Sequence, residues 1–225
     1  MVEVEWNETF RIIYSRYPFI GIFDSIVDPA DIELVLELEQ RTNDRIRDEA
    51  GDISLVPPDE RVSGPGSTPI MAAFTHAKAS RFSDGSYGVY YAARVLETAL
   101  AETVFHVECF YRSTSEESAD VDMRVYDAHI AGTFEDLRSE ALTDARFDPN
   151  SYAVSQGYAR TLRDEDRSDG VLFPSVRDPD HRECVVCFRP RSITSCHPHS
   201  YLTYRWDGTR QLITDTFHRE SLSGS

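Results

Sequence analysis

The sequence has very little lysine, and its overall charge is strongly negative. Lys78 is the single lysine among 23 basic residues, and 39 acidic residues give the 225-residue chain a net charge of −16. Nucleic acids and anionic membranes bind basic surfaces, so this charge disfavours both as direct partners. An anionic substrate would need a local cluster of arginines, whose planar guanidinium groups suit bidentate binding of phosphate.

Cysteine and long apolar runs are also scarce. The four cysteines are few for this length, and the acidic segment 1–10 has no signal-peptide core. We therefore interpret the cysteines as reduced thiols of a cytoplasmic protein. No run approaches the roughly eighteen consecutive apolar residues of a membrane-spanning helix, so no such helix is predicted.

Several nucleotide-binding and catalytic motifs are absent as well. The sequence contains no G-x-G-x-x-G, no P-loop, no G-x-S-x-G and no H-E-x-x-H. Rossmann-type dinucleotide binding, nucleoside-triphosphate hydrolysis, α/β-hydrolase chemistry and zinc-protease chemistry therefore lack support. His181 follows Ser175 by six residues, but no other hydrolase feature accompanies the pair, so it does not predict a catalytic triad.

Residue types that bind metals cluster near the C-terminus: Cys184, Cys187, Cys196, His197 and His199. The first two lie three residues apart in a Cys-Val-Val-Cys segment that is typical of a strand. Residues three apart on a strand face opposite sides of the sheet, so their sulfurs cannot bind one zinc ion. We interpret them as buried small hydrophobic side chains and predict no metal site.

Short strands alternate with a few helices, without the regular βαβ rhythm of a doubly wound sheet. This pattern predicts an α+β fold, a compact mixed sheet of short strands with flanking helices. We expect an N-terminal extension over 1–58, packed on a core over 59–225 in one globular unit. The local predictions are a helix from Asp28 to about Arg47, a linker over 54–69, a helical turn over 134–138 and a hairpin turning at Asp207-Gly208-Thr209.

The stretch from Arg81 to Glu102 contains the main functional candidates. A turn precedes a β-prone segment over 87–92 and a helical pattern over 97–109. Glu102 lies at the edge of the apolar face of that helix, so its carboxylate can face a cleft. Arg81, Tyr91 and Glu102 can therefore converge. From spacing alone, the alternative is a surface arginine, a core tyrosine and a solvated glutamate.

The order of these residues resembles the RES-domain proteins, a family named for Arg, Glu and Ser. The resemblance covers roughly 61–189. The chain also resembles a subgroup of longer RES-domain proteins, in the segments Thr42-Asn43-Asp44-Arg45 and Tyr204-Arg205-Trp206-Asp207-Gly208. The matching positions are Arg61, Arg81-Phe82, Tyr90-Tyr91, Ala99-Leu100-Ala101-Glu102 and Gly170-Val171-Leu172-Phe173-Pro174-Ser175-Val176-Arg177. Where the family often has a glycine-rich turn after the serine, this chain has the charged turn 178–183, and the sequence leaves open whether this turn alters the rim of the pocket.

The resemblance implies a bacterial toxin that degrades NAD⁺ and a fold similar to that of ADP-ribosyltransferase toxins. Glu102 is then expected to stabilise the sugar cation that forms as nicotinamide leaves. Arg61 and Arg81 are expected to bind the pyrophosphate. Tyr91 would stack on nicotinamide, and Ser175 would hydrogen-bond the ribose or the nicotinamide amide. NAD⁺ is consumed as a substrate, and neither a metal nor a bound cofactor is expected.

The resemblance leaves the acceptor of the ADP-ribose open. The first interpretation is a glycohydrolase, or a phosphorolytic enzyme if phosphate replaces water. The alternatives are a protein ADP-ribosyltransferase and a non-catalytic nucleotide-binding module. A toxin of this kind is expected to be neutralised by an antitoxin that carries a DNA-binding domain, and the sequence leaves a homo-oligomer open.

Overall fold

The computed structural model of the protein describes residues 1–15, 21, 23–24, 28–33, 36 and 50–219. A mixed β-sheet with helices packed on it confirms the predicted α+β class. The strands are β1 (Val2–Tyr14), β2 (Ala79–Ser80), β3 (Ser83–Asp84), β4 (Tyr90–Ala93), β5 (Ser118–Asp136), β6 (Gly170–Pro174), β7 (Glu183–Cys187), β8 (Ile193–Asp207) and β9 (Leu212–Arg219). The helices are α1 (Ser67–Thr75), α2 (Leu96–Arg112) and α3 (Ala153–Asp164). Within the described residues, no helix combines the length and apolar content that a membrane crossing requires.

The main sheet has the strand order β1-β4-β7-β6-β5-β8-β9, and β1 also pairs with β5. Strand β5 pairs with β1 along one edge and with β8 and then β6 along the other. Because β1 pairs with both β4 and β5, the strands β1, β4, β7, β6 and β5 close into a ring. Strands β8 and β9 extend the sheet as the predicted C-terminal hairpin.

Apolar side chains fill two core clusters on opposite sides of the sheet. Along β7, Val185 and Cys187 belong to one cluster, whereas Cys184 and Val186 belong to the other. This alternation is the period of a strand, and it confirms that the two cysteines face opposite sides. All four cysteines are free thiols, and Cys109 is the exposed one.

The position and the end of strand β6 place Ser175 next to helix α2. A side chain at Gly170 would collide with the carbonyl oxygen of Val186 on β7, so glycine is required for this close approach. The strand ends at Pro174, as expected for a residue that lacks an amide proton. The chain turns immediately afterwards, and Ser175 is therefore the first residue beyond the strand, next to α2.

Two local predictions were wrong. Segment 134–138 does not form a helical turn, because β5 continues to Asp136 and pairs there with β6. Phe134 is fully buried between neighbouring strands, and these long-range contacts override the local helical preference. The predicted linker over 54–69 also contains the start of α1, which begins at Ser67 after Gly66 in a left-handed conformation, with φ of 82°.

The N-terminal predictions are met in part. Asp28 caps a short 3-10 helix, Pro29–Asp31, by accepting a hydrogen bond of 2.9 Å from the Ala30 amide. Most of the helix predicted to reach Arg47 lies outside the described residues. The division of the chain between residues 58 and 59 stays a prediction, although β1 is hydrogen-bonded into the main sheet.

Candidate functional site

A cavity of about 740 Å³ opens between β1, β4 and α2. Pockets for small molecules and cofactors commonly measure about 300–1,000 Å³, so the cavity is large enough for such a ligand. Arg81, Tyr91 and Glu102 all line it. The structure therefore brings together the three residues whose convergence the central stretch suggested.

Glu102 is a half-buried residue of α2, and Ser175 holds its carboxylate. Ser175 Oγ donates a hydrogen bond of 2.5 Å to Glu102 Oε1. Ser175 Oγ also accepts hydrogen bonds from the backbone amides of Arg177 and Asp178, at 3.1 and 2.9 Å. A hydroxyl has one proton, and these contacts direct it at Glu102. Ser175 is fully buried and does not line the cavity, and its contact with the ribose or the nicotinamide amide stays a prediction.

Arg81 is a buried cation in the cavity wall. Its Nη1 donates to the carbonyl oxygens of Arg146 and Asp148, at 3.2 and 3.0 Å. Burial lowers the pKa of Arg81 from its ordinary value, whereas the negative charge of Glu102 raises it. Among the described residues, no carboxylate forms a salt bridge with Arg81. Its charge is therefore available to an anionic ligand.

Tyr91 uses its hydroxyl to fasten the segment that carries Arg81. The hydroxyl oxygen accepts a hydrogen bond of 2.9 Å from the Phe82 amide and lies 3.0 Å from Ser80 Oγ. Burial raises the pKa of Tyr91, so the phenol is neutral. Its hydroxyl is therefore already engaged, and the ring is the part that it can offer to a ligand.

Arg177 is a cavity residue that sequence reasoning did not single out. Its guanidinium carbon lies 3.5 Å from the centroid of the Phe105 ring, and Nη2 donates to the carbonyl oxygen of Pro149 at 3.2 Å. No carboxylate among the described residues forms a salt bridge with it, and its charge contributes to lowering the pKa of Arg81. The available signal was its place two residues after Ser175 in the RES-like segment.

His106 adds a titratable group to the same wall, one turn of α2 beyond Glu102. Desolvation lowers its pKa from the ordinary value even though much of its ring surface is accessible. The Glu102 charge opposes this shift, and the charges of Arg177 and Arg81 reinforce it. Burial and the two guanidinium charges therefore favour the neutral imidazole.

The structure does not bring Arg61 to the cavity. Arg61 is buried, and its Nε donates to the carbonyl oxygen of Val56 at 3.0 Å. Its Nη2 forms a salt bridge of 2.9 Å with Glu33. Both contacts fasten the segment before α1, and Arg61 is not among the residues that line the cavity.

None of the residues of the charged turn 178–183 lines the cavity, so this departure from the family pattern does not form part of the cavity wall. Asp178 points inward and accepts hydrogen bonds from Thr98 Oγ1 at 2.6 Å and from Arg182 Nε at 2.7 Å. His181 contacts the Ser175 carbonyl oxygen at 2.9 Å, not its hydroxyl. This geometry agrees with the rejection of a Ser175–His181 pair as a catalytic unit.

Asp178 makes the stability of the fold depend on pH. Hydrogen bonds from Arg182, and secondarily from Thr98, hold the pKa of this carboxyl well below its ordinary value of 3.8. A carboxyl whose pKa is lower in the folded state stabilises the fold above its unfolded pKa, and this contribution is lost as the pH falls through the folded pKa. Between about pH 5 and pH 3, we expect the urea midpoint to fall more steeply for the native protein than for Asp178→Asn. Parallel curves would contradict this assignment.

A model of the RES domain matches residues 59–207, which include every predicted site residue. The chain belongs to the RES-domain family. This RES-domain protein is 26% identical over 217 residues to the Sinorhizobium fredii protein named "Uncharacterized protein y4oC", covering 94% of this chain and 88% of that protein. A solved structure, the M. tuberculosis MbcT-MbcA toxin-antitoxin complex, contains a similar chain with 12% identity and a TM-score of 0.45, covering 93% of this chain and 89% of that one.

Proposed function

We propose that this RES-domain protein cleaves the nicotinamide–ribose bond of NAD⁺. The observation that carries the proposal is a carboxylate, Glu102, which Ser175 holds in a cavity that also contains Arg81 and Arg177. Cleavage of this bond in a dinucleotide needs a negative group beside the sugar and positive groups beside the phosphates. The proposed chemistry is the one that the RES-family resemblance implies.

The reaction breaks the bond between C1′ of the ribose and the ring nitrogen of nicotinamide. The bonding electron pair leaves with nicotinamide, which becomes neutral, and the ribose acquires the character of an oxocarbenium ion. The negative charge of Glu102 stabilises this cation, as carboxylates do in glycoside hydrolysis. Water, or phosphate in a phosphorolytic reaction, then bonds to C1′ and loses a proton.

Two guanidinium groups would bind the pyrophosphate. Arg81 and Arg177 have carbonyl and ring contacts in the cavity but no salt bridge with a carboxylate among the described residues. Their charges repel each other, and a phosphate bound by both would offset this repulsion. We therefore assign to Arg177 the phosphate contact that was predicted for Arg61. This local charge also offsets the net charge of −16 for an anionic substrate.

The remaining wall suits the nicotinamide end of the substrate. Tyr91 offers its ring, and Phe173 lies edge-on to it with a centroid separation of 6.4 Å. Such an aromatic wall can stack on nicotinamide and hold it in line for departure. No metal and no resident cofactor is needed for this proposal, because NAD⁺ is the substrate.

At the cellular level, we infer a toxin that depletes NAD⁺ and arrests growth in the cytoplasm. A partner that covers the cavity would neutralise it, and an antitoxin with a DNA-binding domain is the partner that the family resemblance implies. Expression of the chain alone is expected to arrest growth with loss of cellular NAD⁺. Co-expression of a neutralising partner would relieve both effects.

The direct test is to incubate the purified chain with NAD⁺ and measure nicotinamide by chromatography, with and without phosphate. Release that does not depend on phosphate supports a glycohydrolase, and release that requires phosphate supports phosphorolysis. Labelled NAD⁺ with cell lysate adds a second arm, in which a labelled protein band indicates ADP-ribosyl transfer. Thermal stabilisation by NAD⁺ without release of nicotinamide would contradict the proposal and favour a nucleotide-binding module.

A further inference from the structure

The turn after β6 fixes the direction of the Ser175 hydroxyl. Both backbone amides that donate to Ser175 Oγ belong to this turn, from Arg177 and Asp178. The Ser175 amide in turn donates to the carbonyl oxygen of Arg182, at 2.9 Å. A shift of the turn would therefore redirect the proton that Ser175 donates to Glu102.

Helix α2 forms two side-chain hydrogen bonds with this turn. Glu102 accepts from Ser175 at 2.5 Å, and Thr98, four residues earlier, donates to Asp178 at 2.6 Å. Residues four apart on a helix lie on the same face, one turn above the other. The two hydrogen bonds therefore bracket residues 175–178 and tie both ends of the turn to one helical face.

The second contact is completely enclosed. Thr98 is 0% exposed and Asp178 is 1% exposed. Buried carboxylates require hydrogen-bond donors, and Thr98 Oγ1, two nitrogens of Arg182 and the Asp180 amide supply them here. Buried side chains whose hydrogen bonds are all satisfied are held in a single conformation. The Thr98–Asp178 hydrogen bond therefore fixes the position of the turn more firmly than an exposed ion pair would.

We propose that Thr98 and Asp178 are positioning residues, which hold the turn so that Ser175 orients the Glu102 carboxylate toward the cavity. Neither side chain lines the cavity, so neither would touch a substrate there. The effect on catalysis rests on the proposed function, whereas the effect on geometry does not. Misplacement of a reacting group by about 1 Å can cost about 100-fold in rate, which makes a remote hydroxyl relevant to turnover.

The test is a double-mutant cycle on the purified full-length chain, with kcat and KM for NAD⁺ measured separately. Thr98→Val keeps the shape and removes the donor, and we expect kcat to fall about tenfold with little change in KM. In a Ser175→Ala background, the same substitution is expected to leave kcat unchanged, because its effect passes through Ser175. An unchanged kcat for Thr98→Val alone, or an equal loss in both backgrounds, would overturn the proposal.

Two further variants separate positioning from general stability. Thr161→Val removes a helical hydroxyl that bonds only locally, to the Gly157 carbonyl oxygen, and is expected to leave kcat and KM unchanged. Thr98→Ser retains the donor and is expected to restore native kcat. If Thr98→Val does not fold, Thr98→Ala takes its place in the cycle with the same expected outcomes.

Crystal structures decide the geometry without any substrate. The distance between Ser175 Oγ and Glu102 Oε1 is 2.5 Å in the native protein. In Thr98→Val, we expect it to exceed about 3.5 Å, beyond hydrogen-bonding range. An unchanged distance overturns the proposal. If the native protein leaves NAD⁺ intact, the proposed function fails by itself, and this distance still decides whether Thr98 and Asp178 position Glu102.

Discussion

Replacing Glu102 by glutamine is expected to lower kcat for nicotinamide release by about 1,000-fold or more, because the negative charge that faces the sugar cation is removed. Glutamine has the same shape, and its side-chain oxygen can still accept the hydrogen bond from Ser175. The fold and the affinity for NAD⁺ should therefore survive. The measurements are kcat from nicotinamide release, substrate binding by calorimetry and thermal unfolding by circular dichroism.

A matched control lies on the same helix. Glu97 is exposed, lies 4.0 Å from Arg182 and does not line the cavity. Glu97→Gln makes the same chemical change five residues earlier and is expected to retain native kcat and KM. A Glu102→Gln protein with full activity would remove the carboxylate from the proposed mechanism.

Arg81→Gln and Arg177→Gln are each expected to raise KM for NAD⁺ about 10- to 100-fold. Each substitution removes charge-assisted hydrogen bonds to phosphate, and such bonds contribute about 1.5–3 kcal/mol. Lysine at position 177 should recover part of the affinity, since it restores the charge without the planar fork. Nicotinamide mononucleotide, which has one phosphate, should show a smaller loss than NAD⁺ in the same variants.

Arg61→Gln distinguishes a residue that binds the substrate from one that only stabilises the fold. Its guanidinium is bonded to Val56 and Glu33 outside the cavity, so the substitution is expected to lower the melting temperature and leave KM unchanged. Equal increases of KM in the Arg61 and Arg177 variants would restore the original assignment of Arg61.

Local patterns predicted the elements that form the cavity. The β-prone residues before α2 and the apolar face of α2 have clear periodicities, so the strand β4 and the helix were expected where they occur. That short stretch allowed Arg81 and Glu102 to converge but did not require it, because spacing alone was also consistent with a surface arginine and a solvated glutamate. The bounds of strands that pair with distant parts of the chain were predicted less well. The clearest example is the end of β5 at Asp136, where β5 pairs with β6.

Roles that depend on long-range hydrogen bonds could not be predicted. Nothing in the spacing of Arg61 and Arg177 shows which of them lines the cavity with Glu102, since Arg61 precedes that residue by about forty positions and Arg177 follows it by about seventy-five. Ser175 was predicted to contact the substrate because the family resemblance implies it. Its burial, its two amide donors and its hydrogen bond to Glu102 are visible only in the fold.

The position of β1 determines how much of the chain an active fragment must contain. This strand closes the ring between β4 and β5, and its Phe10, Arg11 and Ile12 form part of the cavity wall. The family match begins at residue 59, so a truncated protein cut to the matched range would lose that wall and expose the edges of two strands to water. Expression trials that trim the first fourteen residues would thus yield an incomplete and aggregation-prone product, however much of the family sequence they retain.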